Sequence, residues 1–165
     1  MQPEHVVIRP YREDDLPAIE ALFDEFQGSL VDLDPLRRLR RAPGYGAAGV
    51  TAQRLRVVAD RGRWLVAEVD GTVVGFVVGS VHETTPEDEL EVVSAKRGRV
   101  AELYVQPHYR RRGIARNLMA EIETWCRGQG CQMVQVEVFA PNEQARSFYE
   151  QLGYLTRYID HLKQL

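Results

Sequence analysis

The sequence predicts an α/β (α+β) fold: a mixed, mainly antiparallel central sheet flanked by helices on both faces. Three observations carry this. Two apolar, β-branched runs, 64–69 and 73–79, are joined by Asp70-Gly71, a favoured tight-turn pair, and read as a hairpin. A strand–helix–strand pattern from 100 to 139 brings in a parallel neighbour or a crossover. Apolar residues recur at helical spacing in three further segments. The 165 residues suit a single domain over 1–165.

The elements follow in order. Val6, Val7 and Ile8 form a short strand. Asp14 and Asp15 offer N-cap chemistry, and Pro17 is tolerated in a first helical turn. Ile19, Leu22, Phe23 and Phe26 then line one helix face, which Gly28 ends. Residues 29–60 are less legible. Leu33, Leu36 and Leu39 would line a second helix with Arg37, Arg38, Arg40 and Arg41 towards water. Pro43-Gly44-Tyr45-Gly46 breaks it, and helix resumes around 52–59. After the hairpin, the polar, acidic stretch 84–91 reads as a loop. A third good strand, 100–105, ends before Pro107. Ile114, Leu118, Ile122 and Trp125 mark a helix closed by Gly128 and Gly130. Strand 133–139 follows, then a helix capped by Asn142 and carrying Ala145, Phe148, Tyr149 and Leu152. A final strand is expected from Tyr154.

Composition narrows the function. The chain is 44% hydrophobic and 27% charged, ordinary values for a globular protein. A formal net charge of -3 gives no electrostatic reason to expect nucleic-acid binding. The first fifteen residues lack a leader's apolar core, and no apolar run is long enough to cross a bilayer, so a cytoplasmic protein without a membrane partner is expected. Cys126 and Cys131 are not spaced as CxxC, and His5, His82, His108 and His161 are scattered. No metal site is expected.

The segment Arg110-Arg111-Arg112-Gly113-Ile114-Ala115 lies between a strand and a helix. A helix start leaves backbone N–H groups unpaired, and with the helix dipole these form an anion site. Gly113 would let a phosphate approach the backbone, and the arginines add positive charge. Neither GxxxxGK[ST] nor GxGxxG is present, which turns the reading away from an NTP or a dinucleotide.

The run Leu103-Tyr104-Val105-Gln106-Pro107-His108-Tyr109-Arg110-Arg111-Arg112-Gly113-Ile114-Ala115 resembles the acyl-CoA signature of the GNAT superfamily of N-acetyltransferases. That signature has the core Gln/Arg-x-x-Gly-x-Gly/Ala, and Arg110, Gly113 and Ala115 fill its places. A second motif of the family is matched by the run from Asn142 to Tyr154, which contains Ser147-Phe148-Tyr149 and Leu152-Gly153. The close resemblance covers residues 97–160, and the front half matches in pattern only.

The resemblance implies the GNAT fold, with acetyl-CoA as acyl donor and an amine as acceptor. It puts the pantetheine arm along Leu103, Tyr104 and Val105, chiefly on the backbone of Leu103 and Val105. Alongside Arg110, the backbone amides of Arg111, Arg112, Gly113, Ile114, Ala115 and Arg116 would hold the pyrophosphate. Asn142 would bond the pantetheine or acyl end, and Tyr149 would be general acid for the departing thiolate. Acyl transfer also needs a neutral amine, and a lysine-like amine is mostly protonated at neutral pH. Glu102 and Glu137, both in apolar strands where a carboxylate pKa can rise, are the candidate bases, with a water relay as the alternative. A backbone N–H such as that of Val105 could serve the oxyanion. Direct attack in a ternary complex needs no nucleophilic cysteine. The acceptor is left open between a small amine and a peptide amine, and a non-catalytic acyl-CoA sensor or structural module is the competing reading. An exposed C-terminal strand would invite pairing into a homodimer.

Overall fold

The computed structural model describes residues 5–164; residues 1–4, part of the stretch read above for a leader, and residue 165 lie outside the described residues. The chain runs β1 (Val6–Pro10), α1 (Leu16–Leu33), α2 (Tyr45–Ala59), β2 (Arg63–Val69), β3 (Thr72–Glu83), β4 (Lys96–Val105), α3 (Ile114–Gly128), β5 (Met133–Val136) and α4 (Glu143–Gln151). The sheet order is β1-β2-β3-β4-β5. The first three pairings are antiparallel, and β4 with β5 is parallel. This is the mixed, mainly antiparallel sheet expected. The Asp70-Gly71 turn takes φ of 48° and 83°, the two positive values that a tight hairpin turn requires.

Both sheet faces are covered, which is why β2 reads as an almost continuous apolar run. Trp64 and Val66 point into a core with Ile19, Leu22 and Phe23 of α1 and Val50 of α2. Leu65 and Ala67 point the other way, towards Ile114, Leu118, Met119 and Ile122 of α3 and Tyr149 of α4. Phe23 stacks on Phe76 at 4.7 Å, tying α1 to β3. Burying each such side chain is worth about 1.5–3 kcal/mol. α2 can lie close on α1 because Gly46 has no side chain. A Cβ there would run into the Glu20 carbonyl.

The register contains the feature that shapes the site. Val78 pairs with Glu102 but Gly79 pairs with Val100, leaving Ala101 as an extra residue in β4. This bulge breaks the alternation. Val100 joins the α3 core, whereas Tyr104 lies in the α1 core and Glu102 meets α2. The parallel ladder runs from Arg97↔Met133 to Val100↔Val136 and stops there, while β4 continues to Val105. Beyond Val100 the two strands are no longer paired.

Several expectations are corrected. α1 runs past Gly28 to Leu33, and no helix forms over 34–41. Asp34 instead accepts from the backbone N–H groups of Leu36, Arg38 and Leu39 at 3.0, 2.6 and 2.7 Å. A side chain that captures those donors competes with helix formation, and Arg37 takes a positive φ of 51°. α2 begins at Tyr45 rather than near Ala52. β5 ends at Val136, not Phe139. The strand expected from Tyr154 does not form among the described residues, and Leu155, Tyr158, Ile159 and Leu162 stand exposed. The Tyr154 hydroxyl is tied to Glu123 at 2.8 Å and its ring packs on Tyr149, holding that residue on α3 and α4. No helix among the described residues is long and apolar enough to cross a membrane.

Candidate active site

Of the expected site residues, Glu102, Leu103, Tyr104 and Val105 lie on β4 beyond the bulge, and Arg110 lies against its end. Glu102 lies under α2 and accepts a hydrogen bond from Gln53 Nε2 at 3.2 Å. Burial pushes its carboxyl up to about 7, against the opposing pull of Arg56, Gln53 and Arg99. Desolvation wins because the charged form loses more hydration than these partners return. Glu137 has a different setting. It sits one residue past β5, is largely exposed, and pairs with Arg99 at 2.9 Å.

Tyr149 of α4 is buried, in contact with the rings of Phe148 and Tyr154. Burial first, and then the charge of Glu102, raise its phenol well above the ordinary tyrosine range. Asn142 caps α4, its Oδ1 accepting from the Ala145 N–H at 3.1 Å. Its oxygen is thus engaged locally, and its Nδ2 protons are what it can offer a ligand.

Leu103, Tyr104 and Val105 form the end of β4, past the last residue paired with β5. Arg110 braces this end. Its Nε donates to the Val105 carbonyl at 2.8 Å, and its guanidinium lies 5.4 Å from the Tyr104 ring centroid. The Tyr104 hydroxyl donates to Glu25 of α1 at 3.3 Å, and Gln106 Nε2 donates to the same carboxylate at 3.1 Å.

The loop into α3 is shaped by two left-handed residues, Arg111 at φ 62° and Gly113 at 82°. Gly113 is the N-cap of α3, with no side chain capping the first turn. The N–H groups of that turn, including those of Ile114, Ala115 and Arg116, therefore have the character of an anion site. Space beside Gly113 is open, since an added Cβ would meet nothing within 4 Å. Arg112 turns back, donating to the His108 carbonyl at 2.8 Å with its guanidinium over Tyr109.

Gln53 was not among the residues anticipated, because the helix was expected to begin only near residue 52. Gly46, Val50 and Gln53 are the buried positions of α2, at i, i+4 and i+7, so a polar side chain occupies an apolar-face position. The pairing of Ser80 with His82 on β3 also went unread; Oγ and Nε2 lie 2.8 Å apart, across from Arg99 and Arg97. Cys126 is a buried free thiol pushed up to about 12, chiefly by burial, which makes it a poor nucleophile.

Comparison with known proteins agrees with this geometry. The model of the acetyltransferase (GNAT) family matches residues 19–154. This chain belongs to the GNAT acetyltransferase family. Among solved structures, a tetramutant of the BH1408 protein from Bacillus halodurans is similar with a TM-score of 0.83 at 19% identity, over 96% of this chain and 99% of that one. A transcriptional regulator from Bacillus halodurans C-125 gives 0.71 at 21% identity, over 98% and 100%. AAC(6')-Iy in complex with a bisubstrate analog, CoA-S-monomethyl-acetylneamine, gives 0.67 at 21% identity, over 98% and 99%. At these identities the likeness is one of fold.

Proposed function

We propose that this single-domain chain transfers an acetyl group from acetyl-CoA to a primary amine of a small molecule or peptide, by direct attack in a ternary complex. The observation that carries the reading is Glu102. It is a carboxyl group pushed up to about 7 on the strand beside the early end of the β4–β5 ladder, within electrostatic reach of Tyr149. A base near neutrality can take a proton from an ammonium and still exist as carboxylate at working pH.

The donor thioester supplies an activated acyl carbonyl. Its pyrophosphate would lie on the backbone amides of Arg111, Arg112, Gly113, Ile114, Ala115 and Arg116, and its pantetheine would run along Leu103, Tyr104 and Val105 to Asn142. Arg110 would keep the end of β4 in place. The ammonium proton passes to Glu102. The amine nitrogen then bonds to the acyl carbon, the carbon–sulfur bond breaks, and Tyr149 protonates the thiolate; the nitrogen sheds its second proton as the amide forms, which restores the Tyr149 phenol, and Glu102 returns the first proton to solvent. The phenol's raised pKa keeps its proton on until that moment. Glu137 is a second candidate base, largely exposed and paired with Arg99.

The bisubstrate complex of AAC(6')-Iy supports an amine acceptor within this fold. The test is a titration of the pure protein with acetyl-CoA, followed by an amine panel in which free thiol release is read. Saturable binding with thiol release on at least one primary amine is expected. Tight binding without turnover on any small or peptide amine would favour a sensor.

A further inference from the structure

Gln53 is 4% exposed, and its two ends are in different states. Nε2 donates to Glu102 Oε1 at 3.2 Å, while Oε1 is buried without a hydrogen-bond partner. A buried acceptor is ordinarily satisfied. The exception sits next to a carboxyl group that must change its protonation state if it takes a proton from the acceptor amine. An ionised carboxylate only accepts hydrogen bonds, whereas a protonated carboxyl has one O–H to donate. A primary amide is the neutral side chain that can serve both, because turning it over exchanges donor for acceptor.

We propose that Gln53 is the positioning residue of Glu102, holding the carboxylate through Nε2 and, once the carboxyl is protonated, turning over so that Oε1 receives its O–H. The unpartnered oxygen is then the acceptor held ready for the second state. α2 brings Gln53 there on the face it shares with Gly46 and Val50. The bulge at Ala101 turns Glu102 towards it.

The other groups around Glu102 act in known directions. Arg56 of α2 and Arg99 of β4 favour the carboxylate, burial opposes it, and Tyr45 of α2 and Tyr149 of α4 are both raised by its charge. Across β3 the residue opposite is Val78, which is apolar. Gln53's donated hydrogen bond favours the charged form, so its loss raises the Glu102 pKa.

The inference rests on the proposed acetyl transfer for its kinetic arm alone, so the test has two arms. In the first, glutamate labelled at the side-chain carboxyl carbon is followed by NMR against pH in the whole protein, with Glu102→Gln assigning the signal. Gln53→Met keeps the volume and removes both polar ends. It is expected to move the Glu102 titration upward by about one pH unit. Gln53→Glu is expected to give a two-step titration from two carboxyls sharing one proton. In the second arm, the acid limb of the kcat profile should move with the NMR value, with KM for acetyl-CoA within about twofold of the parent. A residue that only packs α2 would lower kcat equally at every pH and leave the limb in place.

An unmoved Glu102 titration in folded Gln53→Met would overturn the positioning role and leave acetyl transfer standing. Full turnover in Glu102→Gln would instead overturn the base assignment, while the NMR arm would still decide the Gln53–Glu102 pairing.

Discussion

Glu102 on β4 and Tyr149 on α4 are electrostatically coupled: after burial, the carboxylate's charge is what raises the phenol's pKa. In the proposed reaction this coupling has a direction. When Glu102 takes the ammonium proton its charge disappears, and with it part of what holds the proton on Tyr149. The base step thereby makes the acid step easier, although the two groups lie on different elements.

The pH dependence of turnover follows from Glu102. Its active form is the carboxylate, which predominates above a carboxyl pKa pushed up to about 7. We expect kcat to rise with pH through about 7 and then level off. Glu102→Gln should lower kcat about 100-fold and abolish that limb. A steady-state profile from acid to mildly basic pH checks this. A limb unchanged in the variant would assign the ionisation to another group.

Tyr149→Phe removes one oxygen from a buried side chain and should leave the ring contacts with Phe148 and Tyr154 in place. We expect kcat to fall about 10- to 100-fold with acetyl-CoA affinity kept within about twofold. Calorimetry and thiol release on one preparation separate the two effects. Equal turnover would remove the phenol from the mechanism.

Gly113 should matter twice. At φ 82° any side chain is strained by about 1–2 kcal/mol, and the open space beside it is where a pyrophosphate would approach. Gly113→Glu adds a negative charge at the N-terminus of α3 and should weaken acetyl-CoA binding at least about tenfold. Gly113→Ala should cost less affinity. Calorimetric titration ranks the three proteins, and equal affinities would move the pyrophosphate away from this helix.

Much of the architecture was legible where local chemistry and tertiary packing agree. Asp70-Gly71 specifies its turn by backbone preference, and Ile114, Leu118 and Ile122 mark the face of α3 that is in fact buried. Sequence reading failed where one side chain overrides a pattern. Asp34 captures three N–H groups and unwinds what Leu33, Leu36 and Leu39 suggested. Glu102 and Glu137 look alike as residues in apolar strands, and only the bulge at Ala101 and the early end of β5 separate a buried carboxyl from an exposed one. Gln53 reads as an ordinary helix residue until the α2 face it occupies is known.

The last prediction concerns the frame that orients α1. Arg9 of β1 donates to both oxygens of Asp15 at 2.7 and 2.8 Å and also to Glu68 of β2. Asp15 in turn accepts from the Arg12 N–H at 2.7 Å, just ahead of α1. The Arg9 hydrogen bond, outweighing burial, holds the Asp15 carboxyl below its ordinary range. Arg9→Met preserves much of the volume but leaves two carboxylates without their cation. Because the network is only partly buried, we expect a loss of about 2 kcal/mol at neutral pH, below the figure for a fully buried pair. The sign of the pH effect is fixed by linkage. A carboxyl with a depressed folded-state pKa contributes fully above its unfolded pKa, about 4. Its contribution fades as pH falls through the folded value, since the unfolded chain binds the proton first. Urea unfolding of parent and Arg9→Met should therefore show a gap that narrows as the pH falls below about 4. A gap of constant size across that range would mean that Arg9 stabilises the β1–α1 corner by packing rather than by its charge.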